Sequence, residues 1–411
     1  GRTKLMIEND ASSSGAQIIG LSTGDRDISI NSNVLATSKK NRLYDLVAMD
    51  TASDPRLREI PAFRHVEITW EDLQKAAKSA NMVAFYGAGD ATQAANIEAK
   101  FASVLGKKGL TVITKAEAMS MRKSVDKAIK DAEYAGAEAS YTTLVQLRKE
   151  LMAAINDEVP LGAKTAKAAR AVGPDVELVV DKLQSNRVVR PKDFDAVAAL
   201  MSEHLGRRAP VTKNFTKFWN EAAKLYIQDT NSTDIPWVTF DGKTLVQRYR
   251  VSEQSSIEWY DPVTKRMVRN IYEERAKDGV LRGKSSVADA RIGMGVNGNH
   301  MNDATIVRQF HLWGAENNVP TATIHDAFFT NISHVDPAKR ALREIYADAS
   351  ESDTIRNTLL AMRKSGMSEE SYRALLARAI ADGLVDPPDR ITRAEILAPI
   401  PAGKDWYGIG P

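Results

Sequence analysis

Two aspartates are the residues of this sequence best suited to binding a metal ion. Asp326 lies inside residues 323–330, where two short apolar runs flank a His-Asp pair. This pattern predicts two strands joined by a tight turn, which would hold the carboxylate rigidly while leaving it open to solvent. Asp10 follows a largely apolar run at residues 5–8, and small polar residues come after it. The sequence therefore predicts one carboxylate at a hairpin turn and another at a strand end.

Such a pair of carboxylates fits magnesium-dependent nucleotidyl transfer. That reaction uses two Mg²⁺ ions about 3.5–4 Å apart, one activating a 3′-hydroxyl and one holding a triphosphate. Mg²⁺ prefers hard oxygen ligands and keeps several waters, so Asp10 and Asp326 could suffice, with the backbone carbonyl of Ala11 close by. The alternative is that both aspartates only form turns, and the carboxylates alone do not separate the two interpretations.

A second group of candidate residues has the spacing of a helix. Lys78, Met82 and Tyr86 are four residues apart, so on a helix they follow one side. The lysine could bind a triphosphate, the methionine could support a base, and the tyrosine could lie near a sugar. Gly87 would allow a template strand to approach closely. The alternative is an amphipathic helix with a solvated lysine and with the methionine and tyrosine in the core.

Local signals predict the helices that position these residues. Thr69 and Asp72 form a capping-box pattern, so a helix should begin there and run to Tyr86. Residues 297–300 are expected to be a loop or a helix entry. Further helices are expected at 92–105, 191–206, 210–228, 304–316, 337–347, 353–365 and 369–382, with two or three surface helices within 115–170.

Two more strand pairs are expected between these helices. Asp241-Gly242 lies between residues 237–240 and 243–250, which is a strong hairpin signal. Residues 257–260 and 267–272 form a second candidate pair.

Composition limits the possible classes of protein. The chain has 411 residues, of which 43% are hydrophobic and 27% charged, and its net charge is +3. These values are typical of one large or two to three smaller globular domains. The absence of cysteine excludes disulfides and thiolate chemistry, and fits an intracellular protein. No apolar run approaches the roughly 18 residues of a membrane span, and no signal peptide is visible.

The order of the motifs resembles a known family. Residues 10–17 contain Asp-x-Ser-x-Ser-Gly-x-Gln, residues 78–87 contain Lys-x3-Met-x3-Tyr-Gly, and residues 325–328 contain His-Asp-x-Phe. This order resembles the phage-type single-subunit DNA-dependent RNA polymerases, which include the mitochondrial enzymes. Residues 237–249 resemble that family's strand pair between fingers and palm. Residues 297–300 fall where the family has an Asp-Gly-Ser-His-like segment.

The resemblance implies a role for each candidate residue. Asp10 and Asp326 would bind the two Mg²⁺ ions, and Lys78 would contact the incoming triphosphate and act as a general acid toward pyrophosphate. Tyr86 and His300 would recognise the ribose 2′-hydroxyl, and His325 would pack beside the primer end.

Some positions depart from the family's pattern. The family usually has an arginine one helical turn before the lysine, and this sequence has Gln74 there. Lys75 and Arg64 are candidates to replace that arginine, so the triphosphate contacts are in doubt. Ala11 stands where the family usually has glycine, which is a mild change.

Two residues favour ribonucleotides over deoxynucleotides. Related bacterial repair-type DNA polymerases have a glutamate five residues after the first aspartate, where it blocks a ribose 2′-hydroxyl. This sequence has Gly15 there, and it has Met82 where those enzymes usually have phenylalanine. Two alternatives stay open, namely a DNA polymerase of that related type and a non-catalytic nucleic-acid-binding subunit.

The resemblance also implies an architecture and partners. We expect an α+β fold with a right-hand polymerase palm formed by an antiparallel sheet, largely helical fingers and C-terminal helices. Residues 1–60 would begin the palm, 61–235 the fingers with a helical insertion, and 236–411 the rest of the palm and the C-terminal helices. Template DNA, nascent RNA and NTPs are the expected ligands, in the cytoplasm of a phage-infected host.

A second polypeptide is expected as well. The family's promoter-binding domain, thumb and early palm strands have no counterpart in this sequence, so another chain of a split enzyme would supply them. A fragment of a longer protein, or a chain cut after synthesis, is the alternative. Basic clusters at residues 187–192 and 207–208 are expected to line the path of template or RNA.

Overall fold

The structure is a computed structural model that describes residues 6–11, 13–37, 41–156, 159–185, 187–252, 254–262, 266–273 and 283–399. These residues are mostly helical, with small sheets that are antiparallel except for one parallel pair. The α+β class predicted from the sequence is therefore confirmed.

Most of the predicted helices lie close to their expected positions. In chain order the helices are α1 (Ser14–Thr23), α2 (Arg26–Asn31), α3 (Leu43–Ser53), α4 (Pro55–Glu59), α5 (Trp70–Phe85), α6 (Asp90–Lys107), α7 (Lys115–Tyr134), α8 (Glu138–Asn156), α9 (Ala163–Arg170), α10 (Pro174–Leu183), α11 (Pro191–Arg208), α12 (Val211–Thr230), α13 (Val287–Glu316), α14 (Val335–Ser350), α15 (Thr354–Lys364), α16 (Glu369–Ala381) and α17 (Arg393–Leu397). However, α13 begins at Val287 rather than near residue 304, and α2, α3, α4, α10 and α17 were not predicted.

The strands confirm the three predicted hairpins, which are β4–β5, β7–β8 and β10–β11. The strands are β1 (Met6–Asp10), β2 (Thr111–Val112), β3 (Val188–Val189), β4 (Ile235–Val238), β5 (Thr244–Gln247), β6 (Arg250–Ser252), β7 (Gln254–Asp261), β8 (Arg266–Glu273), β9 (Gly283–Ser285), β10 (Thr321–Ile324) and β11 (Ala327–Asn331). Within the described residues, β1, β11 and β10 form one antiparallel sheet in that order, and the other strands pair two by two.

The chain divides into two compact units. The first unit consists of residues 1–42, 85–87 and 209–411, and the second consists of residues 43–84 and 88–208. The helix α5 belongs to the second unit except for its last residue. The assignment of these units as palm and fingers, with the boundaries expected above, stays a prediction.

The core of the first unit lies where α1, α13 and α14 pack against the β10–β11 hairpin. Ile18, Phe310, Phe328 and Leu342 are almost fully buried there. The rings of Phe310 and Phe328 meet edge to face with centroids 5.1 Å apart. Burying each such side chain contributes about 1.5–3 kcal/mol, so this cluster fixes the hairpin against the helices.

The second unit has a core of its own. Helices α7, α8, α9 and α10 turn their apolar sides toward one another and bury Val125, Leu151 and Val179 completely. The sequence predicted surface helices within 115–170, and that prediction understated how much of each helix is buried. No helix of the described ranges is both long and apolar enough to cross a membrane.

Residues 297–300 lie in the interior of α13, so the prediction of a loop or helix entry was wrong. The glycine that suggested a break has a packing role instead. A Cβ on Gly298 would lie 2.2–2.7 Å from the ring of Trp237. The fully buried Trp219 packs on Trp237 with centroids 4.4 Å apart. Glycine is required at 298 because a large side chain of β4 approaches the helix there, and the helix continues through it.

Replacing Gly298 with alanine should destabilise the protein despite alanine's better helix propensity. The added methyl group would collide with Trp237, and such overpacking costs about 1–3 kcal/mol. Gly295→Ala is the matched control, because its Cβ would lie at an ordinary 3.7 Å from Trp219. That variant should be neutral or more stable by up to about 1 kcal/mol. Thermal unfolding of the two variants checks this, and equal melting temperatures would contradict it.

Candidate functional site

The His325-Asp326 pair forms the two-residue turn of the β10–β11 hairpin. Ile324 pairs with Ala327, and the two residues between them connect the strands. His325 has φ +54°, whereas Asp326 is not among the described residues with positive φ. Two-residue turns with a positive φ at the first position usually have glycine there. A histidine in that conformation costs on the order of 1 kcal/mol, so turn geometry alone does not account for His325.

The pairing of β1 with β11 brings the two predicted metal-binding segments together. Asp10 lies directly opposite Ala327, and the backbone N–H of Ala11 donates to the backbone carbonyl of Asp326 over 3.2 Å. The side chain of Asp10 lies outside the described part of the structure. The backbones of Asp10 and Asp326 are thus neighbours, and the role of these residues as metal ligands stays a prediction.

Tyr86 and His300 form a stacked pair in the first unit. Their ring centroids are 4.8 Å apart and the planes differ by 10°. The Tyr86 hydroxyl is hydrogen-bonded to the hydroxyl of Ser14. A Cβ on Gly15 would lie 3.5 Å from the Tyr86 hydroxyl, so a longer side chain at 15 would meet this ring. The residues that the resemblance assigns to sugar selection are therefore in mutual contact.

The end of α5 fixes the position of Tyr86. The side-chain amide of Asn299, in α13, donates to the carbonyl of Phe85 over 2.9 Å. Phe85 itself is buried, and Gly87 has φ +77°, a conformation that favours glycine at a helix end. The hydrogen bond from Asn299 fixes the backbone just before Tyr86, so the position of Tyr86 depends on α13.

Asp303 is a residue that the sequence analysis did not single out. It lies in α13 one turn after His300 and is partly shielded from solvent. Burial raises the pKa of Asp303 to about 6, the charge of Asp326 adds to the rise, and His325 opposes it. Burial also raises the pKa of Tyr86, and the negative charges of Asp303 and Asp326 raise it further. The hydrogen bond with Ser14 lowers it. Asp303 therefore lies within electrostatic reach of three predicted site residues.

The remaining predicted residues lie on α5 in the second unit. Lys75, Lys78 and Met82 are exposed, and Met82 has 44% of its surface accessible. The alternative that Met82 belongs to the core is therefore wrong. Gln74, at the position where the family has arginine, donates from its amide to a carboxylate oxygen of Asp45 over 2.8 Å. The exposed side of α5 thus presents two lysines and a methionine.

A family model described as DNA-dependent RNA polymerase matches residues 2–380. The chain belongs to this family. It is therefore a DNA-directed RNA polymerase, which is a nucleotidyltransferase. A search of curated proteins gave no match.

The donor groups of the polymerase site are compatible with magnesium. Within the described residues, no three carboxylate or imidazole groups form a preformed metal cage, and the Asp10 side chain is not among those described. Mg²⁺ does not require such a cage, because it keeps several waters and uses one or two carboxylates together with substrate phosphates. Asp326 at the turn and Asp10 across the ladder are carboxylates of the kind that Mg²⁺ binds, and their role as its ligands stays a prediction.

Two of the basic clusters have protein partners within the second unit of the polymerase. Arg208 forms a bidentate salt bridge with Asp50, with both N–O distances at 2.8 Å, and Arg207 forms a salt bridge with Glu203. The Arg190 side chain donates to the backbone carbonyls of Ala154 and Val188. These contacts stabilise the unit, and the expected contact with template or RNA stays a prediction.

His204 and His311 are structural, as the sequence indicated. The His204 ring is buried and lies 3.0 Å from a carboxylate oxygen of Asp54. The His311 ring contacts the hydroxyls of Thr321 and Thr323 at 2.9 and 3.1 Å. Neither ring has the surroundings of a metal ligand among the described residues.

Replacing Tyr86 with phenylalanine should weaken discrimination against deoxynucleotides. The change removes the hydroxyl that Ser14 holds in place and leaves the stack on His300. Loss of one such hydrogen bond is worth about 1–1.5 kcal/mol, or about tenfold in the ratio of rNTP to dNTP incorporation. Competing incorporation of the two substrates measures the ratio.

Two further variants serve as a comparison and a control for that measurement. Ser14→Ala should shift the ratio in the same direction by a smaller factor, because the hydroxyl remains but loses its partner. Tyr134→Phe, at a residue that is 91% exposed, should leave the ratio unchanged. An unchanged ratio in Tyr86→Phe would remove this tyrosine from sugar selection.

Proposed function

We propose that this polymerase synthesises RNA on a DNA template by Mg²⁺-dependent transfer of nucleotides from NTPs to the RNA 3′ end. The observation that supports this most directly is the register of β1 against β11, which sets Asp10 beside the Asp326 turn. Family membership gives the reaction class, and the register supports a metal-binding centre at these two aspartates. The first unit would be the palm and the second the fingers.

Asp10 and Asp326 would hold two Mg²⁺ ions, with the Ala11 carbonyl as an additional oxygen ligand. When bound, the ions would activate the attacking 3′-hydroxyl and neutralise the charge of the triphosphate and the leaving pyrophosphate. The protein's part is to fix its carboxylates before substrate arrives. The hairpin does so because Asp326 has paired strand residues on both sides.

The exposed side of α5 would bind the incoming nucleotide. Lys78 would contact the triphosphate and donate a proton to the leaving pyrophosphate, and Met82 would support the base. Lys75 would take the place of the family's arginine, since Gln74 is neutral and already bonded to Asp45. An ammonium group close to a triphosphate is a charge-assisted contact, about twice as strong as a neutral hydrogen bond.

The stacked pair of Tyr86 and His300 would read the sugar. A ribose 2′-hydroxyl can pair with the Tyr86 hydroxyl or the imidazole, and a deoxyribose cannot. A Cβ at residue 15 would already lie 3.0 Å from Phe85 and 3.5 Å from the Tyr86 hydroxyl, so a glutamate there would press against the sugar-reading pair. His325, held at the turn, would pack beside the primer end, and Gly87 would let the template strand pass close to the backbone.

A second polypeptide would complete the enzyme. Among the described residues the catalytic sheet has only three strands, with β1 and β10 at its edges. An exposed strand edge leaves backbone donors and acceptors without partners, and proteins normally cover it. We propose that another chain provides strands for this sheet and the parts of the polymerase that bind promoter and product.

Replacing Asp326 with asparagine should abolish RNA synthesis and leave template binding nearly intact. The isosteric change removes the charge that a metal ion needs and keeps the shape of the turn. The assay is extension of an RNA primer on DNA with Mg²⁺, using the complex recovered from its native source through a tag on this chain. Parallel reactions receive rNTPs or dNTPs, and Asp131→Asn, at an exposed residue of α7, is the control.

The outcomes of that assay separate the possible functions. Ribonucleotide extension that disappears in Asp326→Asn supports the proposal, and a co-purified chain would be the expected second polypeptide. Extension with dNTPs would assign the protein to DNA synthesis. A normal rate in Asp326→Asn would refute the two-metal assignment.

Replacing Lys78 with alanine should lower kcat/KM for NTPs by about 10²-fold, the usual effect of removing one preorganised group that stabilises developing charge. Lys75→Ala should mainly raise KM, because the replaced arginine would act in binding. Lys100→Ala, at an exposed residue of α6, is the control. Equal kinetics of Lys78→Ala and Lys100→Ala would exclude Lys78 from the reaction.

A further inference from the structure

The C-terminal half of α13 lies along β10. The His311 ring bridges the hydroxyls of Thr321 and Thr323. One turn later, a Cβ on Gly314 would lie 2.5 Å from the side chain of Thr321. The end of the helix is therefore beside the start of the strand, and the two run in opposite directions. Residues earlier in α13 therefore lie closer to the hairpin turn.

Helix and strand geometry place Asp303 at the level of that turn. Asp303 precedes Gly314 by eleven residues, which is three helical turns, so both face the same side of α13. Eleven residues of helix span about 16 Å. The three steps from Thr321 to Ile324 span about 10 Å of strand, and the two-residue turn that contains Asp326 extends beyond Ile324. Asp303 and Asp326 are thus at matching positions on elements that pack together.

The electrostatics of the first unit agree with this placement. The charge of Asp326 acts on Asp303, and the charges of both act on Tyr86. His325, the other residue of the turn, acts on Asp303 with the opposite sign. Asp303 is therefore within electrostatic reach of both Tyr86 and the His325-Asp326 turn.

Asp303 differs from another shielded carboxylate of the same unit. Asp241 accepts hydrogen bonds from Thr239 and Arg308. Asp303 has no hydrogen bond or ion pair in the part of the chain that the structure describes, and of the two hairpin residues that act on it the carboxylate Asp326 has the larger electrostatic effect. The ionised form of a shielded carboxylate costs free energy when it has no hydrogen-bond or ion-pair partner, and a second carboxylate nearby adds to that cost. A bound cation offsets the cost.

We propose that Asp303 is a third carboxylate of the catalytic centre, where it accepts hydrogen bonds from the waters of the Mg²⁺ ions that Asp326 holds. The proposal rests on the two-metal function proposed above. Mg²⁺ keeps several of its waters, and a carboxylate just outside the direct ligands orients them. Asp303 would in this way couple the metal ions to α13, the helix on which His300 also lies.

The test compares Asp303→Asn with wild type and with Glu316→Gln, all recovered as the tagged complex. Glu316 is an exposed acid at the end of the same helix, about 20 Å from Asp303, so its replacement removes the same charge elsewhere. Binding of Mn²⁺, measured by electron paramagnetic resonance without nucleotide or template, is the primary measurement. The Mg²⁺ dependence of RNA extension and the melting temperature without metal are measured alongside.

In Asp303→Asn, we expect the Mn²⁺ dissociation constant and the Mg²⁺ concentration for half-maximal extension to rise by about tenfold or more. The metal-free melting temperature should stay the same or rise, because the change removes an unpaired shielded charge. Glu316→Gln should match wild type in all three measurements. A purely structural aspartate would instead lower the melting temperature and leave cation binding unchanged.

Two results would overturn the inference. Unchanged Mn²⁺ affinity together with an unchanged Mg²⁺ requirement would exclude Asp303 from the metal centre, whatever the rate of extension. A lower melting temperature with unchanged Mn²⁺ affinity would make it a structural residue. The proposed function fails separately, if wild type neither binds Mn²⁺ nor extends RNA, in which case the inference fails with it.

Discussion

The antiparallel pairing of β1 with β11 is the constraint on which the catalytic centre depends. These strands are far apart in the sequence, and their ladder alone sets the backbone of Asp10 beside that of Asp326. Side chains alternate between the faces of a strand, so a slip of one residue would turn Asp10 to the opposite face. The register is maintained by Phe328, whose side chain is buried in the same apolar cluster as Phe310 and Ile18. Core packing thus determines where a carboxylate meets solvent.

Helix α13 relates the other parts of the site to that sheet. It contacts β4 through Gly298, the end of α5 through Asn299, Tyr86 through His300 and β10 through His311. The side-chain amide of Asn297 also donates to Gln247 and Tyr249, which links the helix to the β4–β5 region. The contacts of residues 297–300 come from one turn of this long helix, and the contact of His311 comes from about three turns later. A single helix therefore connects His300, which stacks on Tyr86, with β10 of the hairpin that holds Asp326.

The sequence predicted the parts of this arrangement that local signals determine. The hairpins follow from turn-forming residues between apolar runs, and α5 follows from the capping pattern at Thr69, whose hydroxyl and backbone N–H both contact Asp72. The interior of α13 was missed because Gly298 resembles a helix breaker, and only the position of Trp237 explains it. Asp303 was missed for a similar reason. Nothing in its neighbours along the chain marks it, and its importance arises from the alignment of a helix with a strand that begins eighteen residues later.

The residues that violate local preferences are concentrated at one place. His325 has a positive φ, Asp303 is shielded without a partner, and Asp326 adds a second negative charge beside it. Each feature alone destabilises the folded chain, while neighbouring sheltered groups such as Asp241 and Arg308 are paired. A fold selected only for stability would replace these residues with glycine and with neutral side chains. Their joint presence at and near the hairpin turn is explained if divalent cations supply the missing favourable interaction, because a cation compensates both carboxylates at once.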